Sequence, residues 1–115
     1  MSLKLPKTVK VGYKTYKLRW MEEHVPDEST HAMGLTYSRT GTMYINRSRG
    51  EPLQEQANTL LHEILHCLFF VQGIKGFTAE QEEQVVNALA NGLCAVLVDN
   101  PGLMKLIEDG LKGKR

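Results

Sequence analysis

The stretch TLLHEILHCLFF, residues 59–70, combines a helical apolar pattern with two histidines that lie four positions apart. Pro52 suits the first turn of a helix, and Gly73 supplies a C-terminal stop. Apolar residues recur between them at helical spacing, at positions 53, 57, 60, 61, 64, 68 and 71. The pattern predicts an amphipathic helix that contains the whole stretch and packs its apolar side on a core.

Two further helices are predicted after this one. Thr78 and Gln81 have the spacing of a capping box, and the helical pattern runs from Ala79 to about Val98, where DNPG ends it. A shorter helix is expected from Pro101 to about Leu111. We expect the core to cover one face of the second helix, which carries Val86, Leu89 and Leu93. Its small residues should allow close internal packing; they are Ala88, Gly92 and Ala95.

The first half of the chain has the alternation of β-strands. TVKVGYKTYKLRWM, residues 8–21, is broken by Gly12, and GLTYSRTGTMYIN, residues 34–46, contains a turn at residues 39–41. Each stretch predicts a hairpin, and the polar segment between them is expected to be a loop. The sequence therefore predicts an α+β fold, with a small N-terminal β-sheet followed by three helices, and a single domain over residues 1–115.

Composition excludes several classes of function. The chain has 14 Lys and Arg residues against 13 Asp and Glu, so its net charge of +1 gives no general attraction to nucleic acid or to an anionic membrane. No apolar run is long enough to cross a bilayer, and the N-terminal residues lack a signal-peptide core. Cys67 and Cys94 have no C-x-x-C spacing, as expected of reduced thiols. We expect a cytoplasmic protein without a nucleic-acid or membrane partner.

The histidines of the first predicted helix lie away from its apolar stripe. At about 100° per residue, His62 and His66 are about 40° apart, and Glu63 lies about 60° beyond His66. Two imidazoles one helical turn apart can bind zinc together, and the intervening glutamate can accept a proton from water. The alternative is a pair of hydrogen-bonded histidines on a half-buried helix. The H-E-x-x-H spacing favours the zinc site.

A catalytic zinc usually needs a third protein ligand. A third histidine six residues on is excluded, because that position is Gln72. The next helix offers three glutamates, Glu80, Glu82 and Glu83. In an antiparallel helix pair, His66 lies about 10 Å and Glu83 about 7 Å from the connecting turn, so these two can meet. Helix phase favours Glu83 as the ligand, because Glu82 should point about 100° away from Glu83, towards the apolar face of the helix. For either residue the alternative is a glutamate that binds no metal and is stabilised only by the dipole at the start of its helix.

One turn beyond the favoured ligand, Asn87 reaches the depth of His62. An amide at that position could hold the imidazole by a hydrogen bond. The remaining histidines, His24 and His31, lie in the polar segment and are expected to be solvated. Tyr37 and Tyr44 alternate along the second hairpin and are expected to serve in packing.

Together these residues resemble a peptidase family. His62-Glu63-x-x-His66 followed by Glu83-x-x-x-Asn87 is similar to the gluzincin pattern, and most similar to the small ImmA/IrrE-like metallopeptidases often encoded by phages and mobile elements. The family carries E-x-x-A-N-x-F-A on the helix after the motif, where this chain reads EQVVNALA. The resemblance implies a minimal zincin-like fold whose edge strand binds an extended peptide. GTMYIN, residues 41–46, stands where that strand is expected.

The sequence therefore predicts a zinc-dependent peptidase that acts on an extended peptide or protein segment. His62, His66 and Glu83 are predicted to bind Zn²⁺, and Glu63 to act as general base on metal-activated water and then as proton donor to the leaving amine. One alternative is a regulatory or interaction module of phage or mobile-element type that keeps the zinc site without turnover. Another is an interaction domain whose histidines bind nothing.

Overall fold

The computed structural model describes residues 2–21, 33–47 and 52–114. Four strands and three helices lie in these ranges, with all strands before all helices, so the predicted α+β fold class is confirmed. The predicted loop of residues 22–33, with His24 and His31, lies outside the described residues apart from Met33.

The strands form one sheet from two hairpins. β1 (Thr8–Val11) pairs antiparallel with β2 (Lys14–Trp20), and β3 (Gly34–Tyr37) pairs antiparallel with β4 (Thr42–Ile45). Both hairpins turn at a glycine with positive φ, 61° at Gly12 and 73° at Gly41, a conformation that glycine adopts without a Cβ clash. The two predicted hairpins are therefore confirmed.

The order of the strands corrects one prediction. The sheet has the order β1-β2-β4-β3, because β4 pairs parallel with β2 on the side away from β3. The segment of residues 41–46, predicted to be the edge strand, therefore lies in the interior of the sheet. Its Met43 and Ile45 side chains are fully buried. Within the described residues the edge beside the helices is formed by β3.

Three helices follow with bounds close to those predicted. They are α1 (Leu53–Val71), α2 (Ala79–Asp99) and α3 (Leu103–Leu111). The capping box at the start of α2 is present: the Thr78 hydroxyl accepts from the Gln81 backbone N–H, and the Gln81 side chain accepts from the Thr78 N–H. Gly73 follows α1 with a φ of 66°. In the described residues no helix is long and apolar enough to cross a membrane.

Helix α1 is packed on both sides. Towards the sheet it contributes Cys67 to a cluster with Tyr16 and Met43, and towards α2 it contributes Leu65 and Phe69 to a second cluster. The sheet, α1 and α2 thus form three successive layers, which place α1 at the centre of the domain. The histidines of α1 lie along its boundary with α2.

The predicted burial of α2 is only partly correct. Val86 and Ala90 are fully buried against α1, but Leu89 and Leu93 are 46% and 41% exposed. The small residues expected to pack internally are exposed as well; they are Ala88, Gly92 and Ala95. Helix α2 therefore covers α1 along one narrow stripe and leaves most of its own apolar surface uncovered.

Candidate metal centre

His62 and His66 lie on successive turns of α1 and face each other. Their ring centroids are 4.8 Å apart, and their Nε2 atoms are 3.2 Å apart. Both side chains are partly buried, 16% and 22% exposed. The i, i+4 spacing of the motif therefore brings two imidazole nitrogens to the same point, as the helix geometry requires.

Helix α2 brings Glu83 to that point. Glu83 Oε1 lies 2.5 Å from His62 Nε2, and Glu83 Oε2 lies 3.4 Å from His66 Nε2. The antiparallel packing of α1 and α2 places the first turn of α2 beside the histidines, which is the arrangement that the distance argument predicted. These three residues form the group of potential metal ligands found in the described residues, with ligand atoms within 4.8 Å of one another.

Glu82 contacts His66 from another direction. Its Oε2 lies 2.6 Å from Nδ1 of His66, the ring nitrogen that faces away from the cluster. The prediction that Glu82 points away from the histidines is therefore wrong. Glu82 lies one turn before Val86, and Val86 is fully buried against α1, so the face that carries Glu82 is turned towards α1.

The types of donor atom in this group are those that bind zinc in proteins. Ligand atoms held 2.0–2.1 Å from zinc in tetrahedral geometry lie about 3.3 Å apart, and the Nε2–Nε2 and His66 Nε2–Glu83 Oε2 distances of 3.2 and 3.4 Å agree with that spacing. The third distance, 2.5 Å between His62 Nε2 and Glu83 Oε1, is shorter and is that of a direct hydrogen bond. Two imidazoles and one carboxylate are also the ligands of the His₂Glu class of catalytic zinc site. The contact of Glu82 with Nδ1 is the kind that fixes the tautomer of a metal-binding histidine.

Glu63 lies between this cluster and the sheet. It is 6% exposed, and its Oε1 accepts a hydrogen bond of 2.6 Å from the Thr36 hydroxyl of β3. Burial raises the pKa of Glu63 above its usual range, while the Thr36 hydrogen bond and the two histidines partly offset that rise. A carboxylate desolvated in this way is a stronger base than one in water.

Strand β3 approaches Glu63 closely because residue 34 is glycine. A Cβ at this position would lie 2.9 Å from Cγ of Glu63 and 2.9 Å from Cγ2 of Thr59. Both distances are shorter than normal contacts between carbon atoms. Gly34 therefore sets the separation between the edge strand and the buried carboxylate.

On the sheet side of α1, Cys67 and Tyr16 are fully buried. Both cysteines of the chain are free thiols, as predicted. Burial raises the pKa of Cys67 to about 11 and that of Tyr16 to about 12, so both groups are neutral at physiological pH. The carboxylate of Glu63 thus has uncharged neighbours on its sheet side.

Two cavities open on either side of the cluster. One, of about 680 Å³, runs along α1 and α2 past His62 and Asn87, and the other, of about 700 Å³, runs past His66 towards Phe70. Both are lined by Gly34, Glu63 and Glu83. The cluster therefore lies in the middle of a groove that follows the edge strand.

Some contacts of the site were not predicted from the sequence. Thr36 and Gly34 lie on a strand whose alternation carries no sign of their contact with Glu63. Asn87 lines the cavity beside His62, and a hydrogen bond between the two stays a prediction. Tyr37 and Tyr44 pack edge to face with centroids 5.8 Å apart, as expected of packing residues.

Comparison with known proteins gives one match. Residues 13–109 match the family profile described as Peptidase_M78, IrrE N-terminal-like domain. The match covers β2, β3 and β4 of the sheet and both helices of the candidate metal centre. No curated protein and no solved structure matches the chain.

Proposed function

We propose that this chain, which belongs to the Peptidase_M78 family of IrrE N-terminal-like domains, is a zinc-dependent peptidase of the gluzincin type. The observation that carries the proposal is the convergence of His62, His66 and Glu83 beside the buried carboxylate of Glu63. A ligand cluster next to a desolvated base is the arrangement that metal-assisted hydrolysis requires.

The proposed ligands are His62 Nε2, His66 Nε2 and the Glu83 carboxylate. When bound, zinc supplies a Lewis acid that polarises the scissile carbonyl and makes water more acidic. Glu82, through its contact with Nδ1 of His66, holds that imidazole with Nε2 towards the cluster. The second helix thus contributes one carboxylate as a ligand and its neighbour as a positioning residue.

Glu63 is proposed to move the proton. It accepts a proton from the attacking water and then donates it to the amine that leaves when the peptide bond breaks. The Thr36 hydroxyl occupies Oε1 of Glu63, so Oε2 is the oxygen available for this transfer. Burial of the carboxylate raises its pKa and makes both proton transfers easier near neutral pH.

The proposed substrate is a peptide or protein segment in extended conformation, bound at the outer edge of β3. This strand replaces β4 as the peptide-binding edge, since β4 is paired on both sides. An edge strand can add a further strand through its free backbone N–H and C=O groups. The groove along β3 extends to both sides of the cluster, so it has room for the chain on both sides of the scissile bond.

The test compares Glu63→Gln with His66→Ala. Glu63→Gln should keep zinc and lose hydrolysis, because it removes the base and no ligand; His66→Ala should lose both. Zinc content of the purified protein and cleavage of a broad peptide library are the two measurements. If Glu63→Gln kept full turnover, the proposed mechanism would be wrong. Zinc binding without any cleavage by the wild type would favour the regulatory module instead.

A further inference from the structure

The cavity beside His62 differs in its chemistry from the cavity beside His66. Among the described residues that line the cavity beside His62, several carry carboxamides; they are Gln54, Asn58, Asn87 and Asn91. The cavity beside His66 has no carboxamide among its described residues and is lined instead by Phe69, Phe70 and Ile74. The two halves of the groove therefore offer different contacts to a substrate.

The carboxamides come from two helices that face each other. Asn58 lies one turn before His62 on α1. On α2, Asn87 and Asn91 lie one and two turns after Glu83. Since His62 and Glu83 meet across the antiparallel pair, these amides lie on the same side of the ligand cluster. At 1.5 Å per residue, Asn91 is about 12 Å along α2 from Glu83, so the row leads away from the cluster and can contact a substrate side chain at a distance from the scissile bond.

A hydrogen bond joins the two helical walls of this cavity. Asn58 Nδ2 donates to Asn91 Oδ1 at 2.8 Å, and the pair is accessible to solvent. A carboxamide has two donor hydrogens and one acceptor oxygen, so within the described residues the pair still offers the Asn58 oxygen as an acceptor and the Asn91 N–H groups as donors. A ligand group that both donates and accepts, as an amide does, complements the two.

The same cavity also has apolar lining. Met33, just before β3, and Cys94 of α2 both contribute to its wall. A side chain that suits the cavity therefore needs an apolar stem as well as an amide end, and glutamine has both. No Lys or Arg is among the described lining residues, so an acidic side chain would find no cation there. A lysine side chain would find Glu55, but that carboxylate is exposed, and an exposed ion pair stabilises a complex little.

We propose that the cavity beside His62 is a specificity pocket for a glutamine side chain of the substrate, with Asn58 and Asn91 as the residues that recognise its carboxamide. The proposal rests on the proposed peptidase function and adds one determinant of which extended segment is bound. The glutamine N–H₂ donates to the Asn58 oxygen, and the glutamine oxygen accepts from the Asn91 N–H₂. A side chain of the same size without an amide is disfavoured, because it displaces water from both asparagines and leaves them unpaired.

Binding of labelled peptides to the Glu63→Gln protein measures this preference without cleavage. The peptides share a host of alanine and threonine and differ in one central residue, which is glutamine, methionine, lysine or glutamate. The glutamine peptide should bind roughly 10-fold more tightly than the methionine peptide, whose side chain has nearly the same size and no amide. The lysine and glutamate peptides should bind no better than the methionine peptide. Equal affinities for glutamine and methionine, tighter binding of another peptide, or no binding of the glutamine peptide would overturn the proposal.

A double variant tests whether the asparagine pair is the source of the preference. Asn58→Leu combined with Asn91→Leu should abolish the preference for glutamine over methionine, with zinc content and helical circular dichroism unchanged. Gln84→Ala is the matched control, because Gln84 is an exposed carboxamide of the same helix that lines neither cavity, and it should keep the preference. A preference that survives the double variant, or that Gln84→Ala also abolishes, would show that the pair does not recognise the amide.

The specificity pocket and the peptidase assignment can fail separately. Cleavage by the wild type tests the assignment, whereas the relative affinities are measured in a protein from which the proposed base has been removed. Preferred binding of the glutamine peptide without any cleavage by the wild type would support the pocket and count against the enzyme. Cleavage by the wild type, together with equal binding of the glutamine and methionine peptides, would support the enzyme and overturn the pocket.

Discussion

The two ends of helix α2 have opposite surroundings. In its first turns, Glu82 and Glu83 each contact an imidazole, and Val86 is fully buried against α1. In its last turns, Leu93 and Val98 are 41% and 78% exposed. One end is organised around the group of potential metal ligands, and the other presents apolar surface without a partner in the described residues. Helical periodicity is the same along both ends, so periodicity alone does not reveal what covers a helix.

The largest expected effect concerns the carboxylates at the first end. Glu83→Ala should weaken zinc binding by roughly 1000-fold, about 4 kcal/mol, because it removes a ligand. Glu82→Ala should weaken it by roughly 10- to 100-fold, because it removes only the contact with Nδ1 of His66. Competition with a chelator measures both affinities. From sequence alone Glu82→Ala was expected to have no effect on zinc, and the structure revises that expectation.

Glu80→Ala is the control for these two variants, since Glu80 is an exposed first-turn glutamate of the same helix. It should leave zinc affinity unchanged. Equal losses for Glu82→Ala and Glu83→Ala would mean that both carboxylates act as ligands. Wild-type affinity in both would remove the gluzincin assignment.

The next effect tests β3, the strand that contacts Glu63 of α1 beside the ligand cluster. Gly34→Ala should lower kcat/KM for peptide hydrolysis by roughly 100-fold, because a Cβ 2.9 Å from Cγ of Glu63 displaces the base. Zinc affinity should stay within a few fold of wild type, since no ligand moves. Steady-state kinetics and zinc titration on the same preparation separate the two. Unchanged kinetics would show that the strand does not position Glu63.

A pair of valines on α2 compares burial at its two ends. Val86→Ala should lower the free energy of unfolding by about 2 kcal/mol, because it removes two fully buried methyl groups and leaves a cavity. Val98→Ala should change it by less than about 0.5 kcal/mol, because that side chain is mostly in water. Urea denaturation of both variants measures the difference. Similar losses would show that the last turns of α2 are covered.

The smallest effect concerns Gly92. Gly92→Ala should raise the free energy of unfolding by about 0.5–1 kcal/mol, since alanine favours the helix and the added Cβ meets no atom within 4 Å. Urea denaturation measures the difference. A loss of stability would show that another part of the protein packs closely against residue 92.

Much of the helical half could be predicted from the sequence. The start of α2 at Thr78, the glycine stop after α1, and the approach of Glu83 to the histidines were all predicted correctly. The first two depend on residues within four positions of one another. The third depends on the short loop that joins α1 to α2 and makes the two helices antiparallel. The roles of His62, His66, Glu63 and Glu83 in zinc chemistry stay predictions, which the variants above test.

The sheet shows where prediction from sequence failed. The alternation of apolar and polar residues identified β3 and β4. A strand with one buried face has the same alternation at the edge of a sheet and in its interior, so the alternation does not give its position. Met43 and Ile45 would be buried in either position. Only the pairing of β4 with β2 determined that β3, with Gly34 and Thr36, is the strand beside Glu63.

The sequence by itself determined the helices, their caps, the two hairpins and the phase that sets His62 and His66 together. These features depend on hydrogen bonds and side-chain spacings within a few residues, which local sequence specifies. Tertiary structure alone decided the strand order, the contact of Glu82 with His66, and the exposure of Leu89 and Leu93 on α2. Each of these depends on which distant segment pairs with a strand edge, contacts a long side chain or covers an apolar surface. Several segments of this chain have local sequence patterns that suit these contacts, so the local pattern does not identify which one makes them.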